Sequence, residues 1–136
     1  MFSPTHFLDT NTCIYIINRK PPHVAQVFRR YQIGDIAVSS VAVAELAFGA
    51  AKSVRKGTRE TLQEFLLDLM VLPFDEAAAW VYGDLRARLQ ATGQTIGPLD
   101  LQIAAHALSA GVTLVTNNTD EFARVPGLGL EDWFPE

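Results

Sequence analysis

The chain has 136 residues, 49% of them hydrophobic and 19% charged, which suits one ordinary folded domain spanning 1–136 and excludes a disordered chain. Its formal net charge of −4 argues against a broad nucleic-acid-binding surface, but leaves room for a small acidic site whose charge divalent cations would offset. The single cysteine, Cys13, excludes an internal disulfide and suits a reducing cytoplasm; neither a secretory signal nor a bilayer-spanning stretch is expected.

His6-Phe7-Leu8 reads as a short buried strand ending at Asp9. Thr10 or Asn11 then caps a helix through Ile14, Tyr15, Ile16 and Ile17. Pro21 and Pro22 break it, and Val24, Val27, Phe28 and Tyr31 recur at helical spacing. Gly34-Asp35 is a turn, and Ile36-Ala37-Val38 a second strand. Ser39 or Ser40 caps the next helix, which holds Val41, Val43, Leu46, Ala47 and Phe48 with Glu45 inside it. Lys52 to Gly57 is a basic, polar break. Thr61 and Glu64 have capping-box spacing, although Leu62, Phe65, Leu66 and Leu69 also fit a helix that begins earlier.

Val71-Leu72-Pro73-Phe74 reads as a strand, placed at an edge by Pro73. Asp75 caps a long helix that runs to about Thr92 and stops at Gly93. After a loop from Gln94 to Gly97, Pro98 opens a helix that ends at Gly111. Val112 to Val115 is the clearest strand. The loop Thr116-Asn117-Asn118-Thr119 follows, then a short helix and a last strand near Leu130. Short strands alternating with helices predict a parallel sheet covered on both faces, in which ligands bind beyond the carboxyl ends of the strands. Asp9 and Asn118 fall at such ends.

Three acids stand where apolar residues are expected. Asp9 follows a strand entering the core, Glu45 sits in the apolar run Val41 to Ala47, and Asp100 opens the run Leu101 to Leu108. Unpaired carboxylates in such surroundings are costly, and a shared cation compensates several at once. Mg²⁺ is a hard ion that prefers oxygen ligands, so acids suit it and no His or Cys nucleophile is needed. Each acid also has a structural alternative. Asp9 can be a helix N-cap, Asp100 a first-turn acid favoured by the helix dipole, and Glu45 a surface side chain, although in mid-helix it caps nothing.

At these residues the sequence resembles the PIN-domain family, specifically the VapC-type toxins of bacterial toxin–antitoxin pairs. The matching segments run in order along the chain: Leu8-Asp9-Thr10-Asn11-Thr12-Cys13-Ile14, Ser39-Ser40-Val41 with Glu45-Leu46 and Gly49-Ala50, Ile96-Gly97-Pro98-Leu99-Asp100 with Ile103 to Ala107, and Val115-Thr116-Asn117-Asn118 with Glu121 to Leu128. Glu131-Asp132-Trp133 also matches. The resemblance implies a PIN-like three-layer α/β/α sandwich with a short-stranded, mostly parallel central sheet. It implies a Mg²⁺-dependent endoribonuclease, with Mn²⁺ as substitute, that is neutralised by a small VapB-like antitoxin and forms a homodimer.

By the same resemblance, Asp9, Glu45 and Asp100 take the positions of the catalytic, metal-holding acids. Asn11 matches a residue that orients Asp9, and Thr116 one that supports the site. Where many relatives carry a fourth acid after the Thr-Asn pair, this chain has Asn118. Glu121 is then the candidate to complete the metal site, ahead of Asp120. The subgroup it resembles cuts initiator tRNA in its anticodon stem-loop, an exposed element whose backbone is easier to reach than paired RNA.

Other residues carry weaker signals. Arg86 is a candidate for binding phosphate, set against a solvated helix face. Lys52, Arg55, Lys56 and Arg59 form the densest basic cluster. His106 lies off the helical face of Asp100, Cys13 suits core packing, and Trp80, Tyr82 and Phe65 suit core or a dimer interface better than base stacking. Two competing functions are a catalytically silent RNA-binding member of the fold, and a phosphotransferase using Asp9 as nucleophile. The second is weakened by Asn11, which stands where a second Asp is needed.

Overall fold

The computed structural model describes residues 3–136. The elements are β1 (His6–Leu8), α1 (Thr10–Asn18), α2 (Pro22–Phe28), β2 (Ile36–Ser39), α3 (Ser40–Lys52), α4 (Thr58–Leu66) and β3 (Met70–Leu72). They continue as α5 (Glu76–Ala91), α6 (Pro98–Ala110), β4 (Thr113–Val115), α7 (Thr119–Phe122) and β5 (Leu130–Glu131). Local chemistry explains most boundaries. Ser39 accepts the Val41 N–H at 3.1 Å and so starts α3, and Asp75 accepts the Ala78 N–H at 3.0 Å and so starts α5. Pro22 and Pro98 occupy the first turns of α2 and α6, where their missing N–H costs nothing. Gly111 ends α6 at φ 70°, a left-handed conformation that a Cβ would disfavour.

Three sequence expectations are corrected. The first helix is capped by Asp9 itself, not by Thr10 or Asn11, which lie inside it. The fourth helix starts at Thr58 behind Gly57, so Thr61 and Glu64 form no capping box. The third strand lies one residue earlier than expected and ends before Pro73, although it does form a sheet edge.

The five strands form one sheet in the order β3-β2-β1-β4-β5, and every pairing is parallel. The chain winds outward from β1 through β2 to β3, then crosses to β4 on the other side of β1. Since parallel crossovers are right-handed, that reversal puts helices on both faces, as the α/β/α reading requires. The central strands are buried: Phe7, Leu8, Val38, Leu114 and Val115 have no exposed surface. Burying each such aliphatic or aromatic side chain stabilises the fold by about 1.5–3 kcal/mol. The topological switch lies between β1 and β4, where open α/β sheets form a crevice beyond the strand ends. Asp9 follows β1 there and Thr116 follows β4.

Candidate active site

The crevice is laced together by backbone. Asp9 N–H donates to the Val115 carbonyl at 3.0 Å, and Thr116 N–H donates to the Glu131 carbonyl at 2.9 Å. The Thr12 hydroxyl donates to the Val115 carbonyl at 3.2 Å. These bonds hold the carboxyl ends of β1, β4 and β5 in register and fix where Asp9 points.

Asp9 is 5% exposed. Its carboxylate accepts the Thr12 N–H at 2.9 Å and is also hydrogen-bonded by the Thr116 side chain. Burial nonetheless pushes its pKa above the usual carboxylate value; the hydrogen bonds from Thr116 and Thr12 pull the other way, and the charge of Asp132 adds to the rise. Asp9 is therefore a helix cap and also something more, because a cap of α1 needs neither deep burial nor a hydroxyl from the end of β4.

Glu45 reaches the same region from α3. Its Oε1 accepts the Thr10 hydroxyl at 2.7 Å, which joins the first turn of α1 to the middle of α3. Asp100 lies in the first turn of α6. Its pKa is pushed up to about 6, first by burial, then by the charges of Glu121, Glu45 and Asp9 and a hydrogen bond with Glu121. Asp100 thus lies close enough to Glu45, Asp9 and Glu121 to feel the charge of each. Asn118 holds Glu121 by a hydrogen bond from its side-chain amide, and Gly97 N–H donates to Glu121 Oε1 at 3.3 Å. Asn118 N–H in turn donates to Thr116 Oγ1 at 3.0 Å. Of the two acids beyond the Asn-Asn pair, Glu121 faces Asp100, whereas Asp120 is exposed.

Among the described residues, the ion pairs are His6–Glu131 and His23–Glu136, so no Lys or Arg lies within 4.0 Å of Asp9, Glu45, Asp100 or Glu121. None of these four acids is in a direct ion pair with a protein cation among the described residues. Their donor atoms are all oxygens, the set a hard divalent cation prefers. Among the described residues no three His, Cys, Asp or Glu side chains close into a ready-made cage. Mg²⁺ commonly uses one or two carboxylates and completes its shell with water and phosphate.

Other candidates fall elsewhere. Asn11 is exposed, and the hydrogen bonds to Asp9 come from Thr12 and Thr116 instead. Arg86 donates to the Tyr82 hydroxyl at 3.1 Å and lines a small cavity of about 120 Å³ under Ile96 and Pro98. His106 is 4% exposed; its Nδ1 is 2.9 Å from Ser39 Oγ, the edges of Phe7 and Phe74 meet its ring, and burial lowers its pKa. It is a core histidine. Cys13 is fully buried, and burial raises its thiol pKa. Phe65 packs beside Phe28 at 5.9 Å, whereas Trp80 is exposed on α5 and outside the core. Sequence reasoning missed Thr10, Thr12 and Asp132; the hydroxyls flanking Asn11 were the available signal for the first two.

A model of the PIN domain matches residues 6–128. The tRNA(fMet)-specific endonuclease VapC of Shigella flexneri is 45% identical over 127 residues, covering 93% of this chain and 96% of that protein. Two solved structures superpose closely, each 40% identical. The DNA-bound VapBC of Salmonella typhimurium has a TM-score of 0.90 and covers 96% of this chain and 98% of that one. VapBC2 of Rickettsia felis, bound to a promoter DNA fragment, has a TM-score of 0.89 and covers 95% and 98%. With the matched model, the full-length relative and the acidic crevice at the sheet's switch point, the chain belongs to the PIN-domain family, among its VapC proteins.

Proposed function

We propose that this protein is a divalent-metal-dependent endoribonuclease toxin that cuts RNA at an exposed loop and is neutralised by a VapB-like antitoxin. The observation that carries the reading is the convergence of Asp9, Glu45, Asp100 and Glu121 in one crevice without a cationic partner. The Shigella relative named for tRNA(fMet) supports the anticodon stem-loop of initiator tRNA as substrate. The VapBC assemblies of the structural neighbours support the antitoxin.

Asp9, Glu45 and Asp100 would hold Mg²⁺, or Mn²⁺ in its place, with Glu121 as fourth acid. When bound, the ion supplies charge stabilisation at the attacked phosphate and a lower pKa for the attacking water. The chain's own groups do the positioning. Thr12 and Thr116 orient Asp9, Thr10 orients Glu45, and Asn118 with Gly97 N–H orients Glu121. Outer partners of this kind fix ligand direction and typically contribute about 10–100-fold in metal affinity or activity. Asp100 must ionise to serve, and its raised pKa is the cost of burying it and then of crowding it among acids.

The test is expression with and without the cognate antitoxin, followed by mapping of new RNA 5′ ends. A unique new end in the initiator tRNA anticodon loop, absent when the antitoxin is present, is expected. RNA binding without any new end would favour the silent RNA-binding alternative and overturn the nuclease reading.

A further inference from the structure

A groove of about 610 Å³ runs beside the acidic crevice, between α1, α3 and the loop leading into α4. It is within the ~300–1,000 Å³ range of ligand sites, roomy enough for more than one small polar group. Glu45 lines it, so the groove reaches one of the four acids, and Ile14, Ile17, Leu46 and Leu62 give it apolar wall. Lys20, Arg55 and Lys56 line it as well. The ion pairs among the described residues involve histidines alone, so these three cations have no carboxylate within 4.0 Å. The basic run of the sequence is therefore divided by the fold. Arg55 and Lys56 face the groove and are joined there by Lys20 from beyond α1, whereas Lys52 lies 5.0 Å over the Phe48 ring.

We propose that this groove holds the RNA backbone flanking the cut, with Lys20, Arg55 and Lys56 on its phosphates. The inference rests on the nuclease reading above and assigns a binding path to it. A polyanion carries charge at regular intervals, so it meets the unpaired cations of the groove while one phosphodiester lies at the acids beyond Glu45. An acidic overall charge does not oppose this, because the cations are local. Gly49 forms part of the wall, and a Cβ built there meets nothing within 4 Å. A side chain at that point on α3 meets open space, which provides a way to block the path without disturbing the core.

The probe is a fluorescein-labelled RNA of the initiator tRNA anticodon stem-loop. It is titrated by fluorescence anisotropy, in Mg²⁺ and a series of KCl concentrations, on an Asp9→Asn background that keeps the RNA intact. Replacing Lys20, Arg55 and Lys56 together with Gln is expected to weaken binding at least about tenfold and to make the slope of log K against log[KCl] shallower by about 2, at ~0.7 for each single-strand phosphate that is no longer neutralised. Gly49→Leu is expected to weaken binding by a similar factor with the thermal midpoint undiminished, since Leu is the better helix former. Wild-type affinity and an unchanged slope in the triple Gln variant would overturn the proposal. Retained RNA binding by that variant together with failure to bind the antitoxin would also overturn it and assign the groove to a protein partner. If the chain with native acids cleaves RNA while these variants bind normally, the groove assignment alone fails; if it neither binds nor cleaves RNA, the nuclease reading fails with it.

Discussion

Replacing Asp100 with Asn should make the metal-free protein more stable while abolishing its response to metal. Raising a carboxyl from 3.8 to about 6 disfavours the ionised form by about 3 kcal/mol. Asp100 is partly exposed, so solvent screening reduces the expected gain to about 1–2 kcal/mol. In a chain of this length that is a rise in Tm of about 3–8 °C. The sign follows from linkage. Folded Asp100 binds its proton more tightly than the unfolded chain does, so wild-type stability falls as pH rises from 3.8 to about 6. The Asn side chain has no such loss. Its advantage should be absent below about pH 3.8, grow across the window and be level above about pH 7. The assay is thermal unfolding by circular dichroism in chelator across pH, repeated in Mg²⁺. Added Mg²⁺ should raise the wild-type Tm and leave the variant unmoved. A variant less stable than wild type at pH 8 in chelator, or one whose gain persists at the acid end, would refute the picture of Asp100 crowded among Glu121, Glu45 and Asp9.

Two further outcomes probe the same crevice. Thr116→Val removes a fully buried hydroxyl that bonds Asp9 and accepts Asn118 N–H; it should cost about 1–3 kcal/mol in urea unfolding. It should also weaken Mn²⁺ binding, measured by calorimetry, about 10–100-fold. Glu121→Gln removes the largest charge contribution to the raised Asp100 pKa, so the Asp100 carboxyl followed by NMR should titrate lower than in wild type. An unmoved titration would take Glu121 out of the site.

What the sequence disclosed and what it withheld divide along physical lines. Caps and breakers act within a few residues, so Ser39, Asp75, Pro98 and Gly111 announced their helix ends before any fold was known. The β1 and β4 strands were equally plain, since both are short apolar runs between polar loops. The trio of acids was visible as three misplaced charges, and the family resemblance joined them. The supporting hydrogen bonds were not visible, because they depend on which side chain of Asp9-Thr10-Asn11-Thr12 turns inward. Helical rotation sends Thr12 into the core and Asn11 to solvent. Nor could spacing show that Lys20 shares a groove with Arg55, for that proximity arises only when α1 packs beside α3. Trp80, large and apolar by composition, is exposed on α5 with its indole N–H on Glu76.

The most direct test of the account is single-turnover cleavage of purified initiator tRNA by the wild-type chain and by Asp9→Asn, in Mg²⁺ and in excess chelator. The account predicts one cut in the anticodon loop by wild type in Mg²⁺, none in chelator, and a loss of more than about a hundredfold in the variant, a greater effect than outer-partner removal produces. Undiminished cleavage by wild type in chelator, or by Asp9→Asn in Mg²⁺, would contradict it.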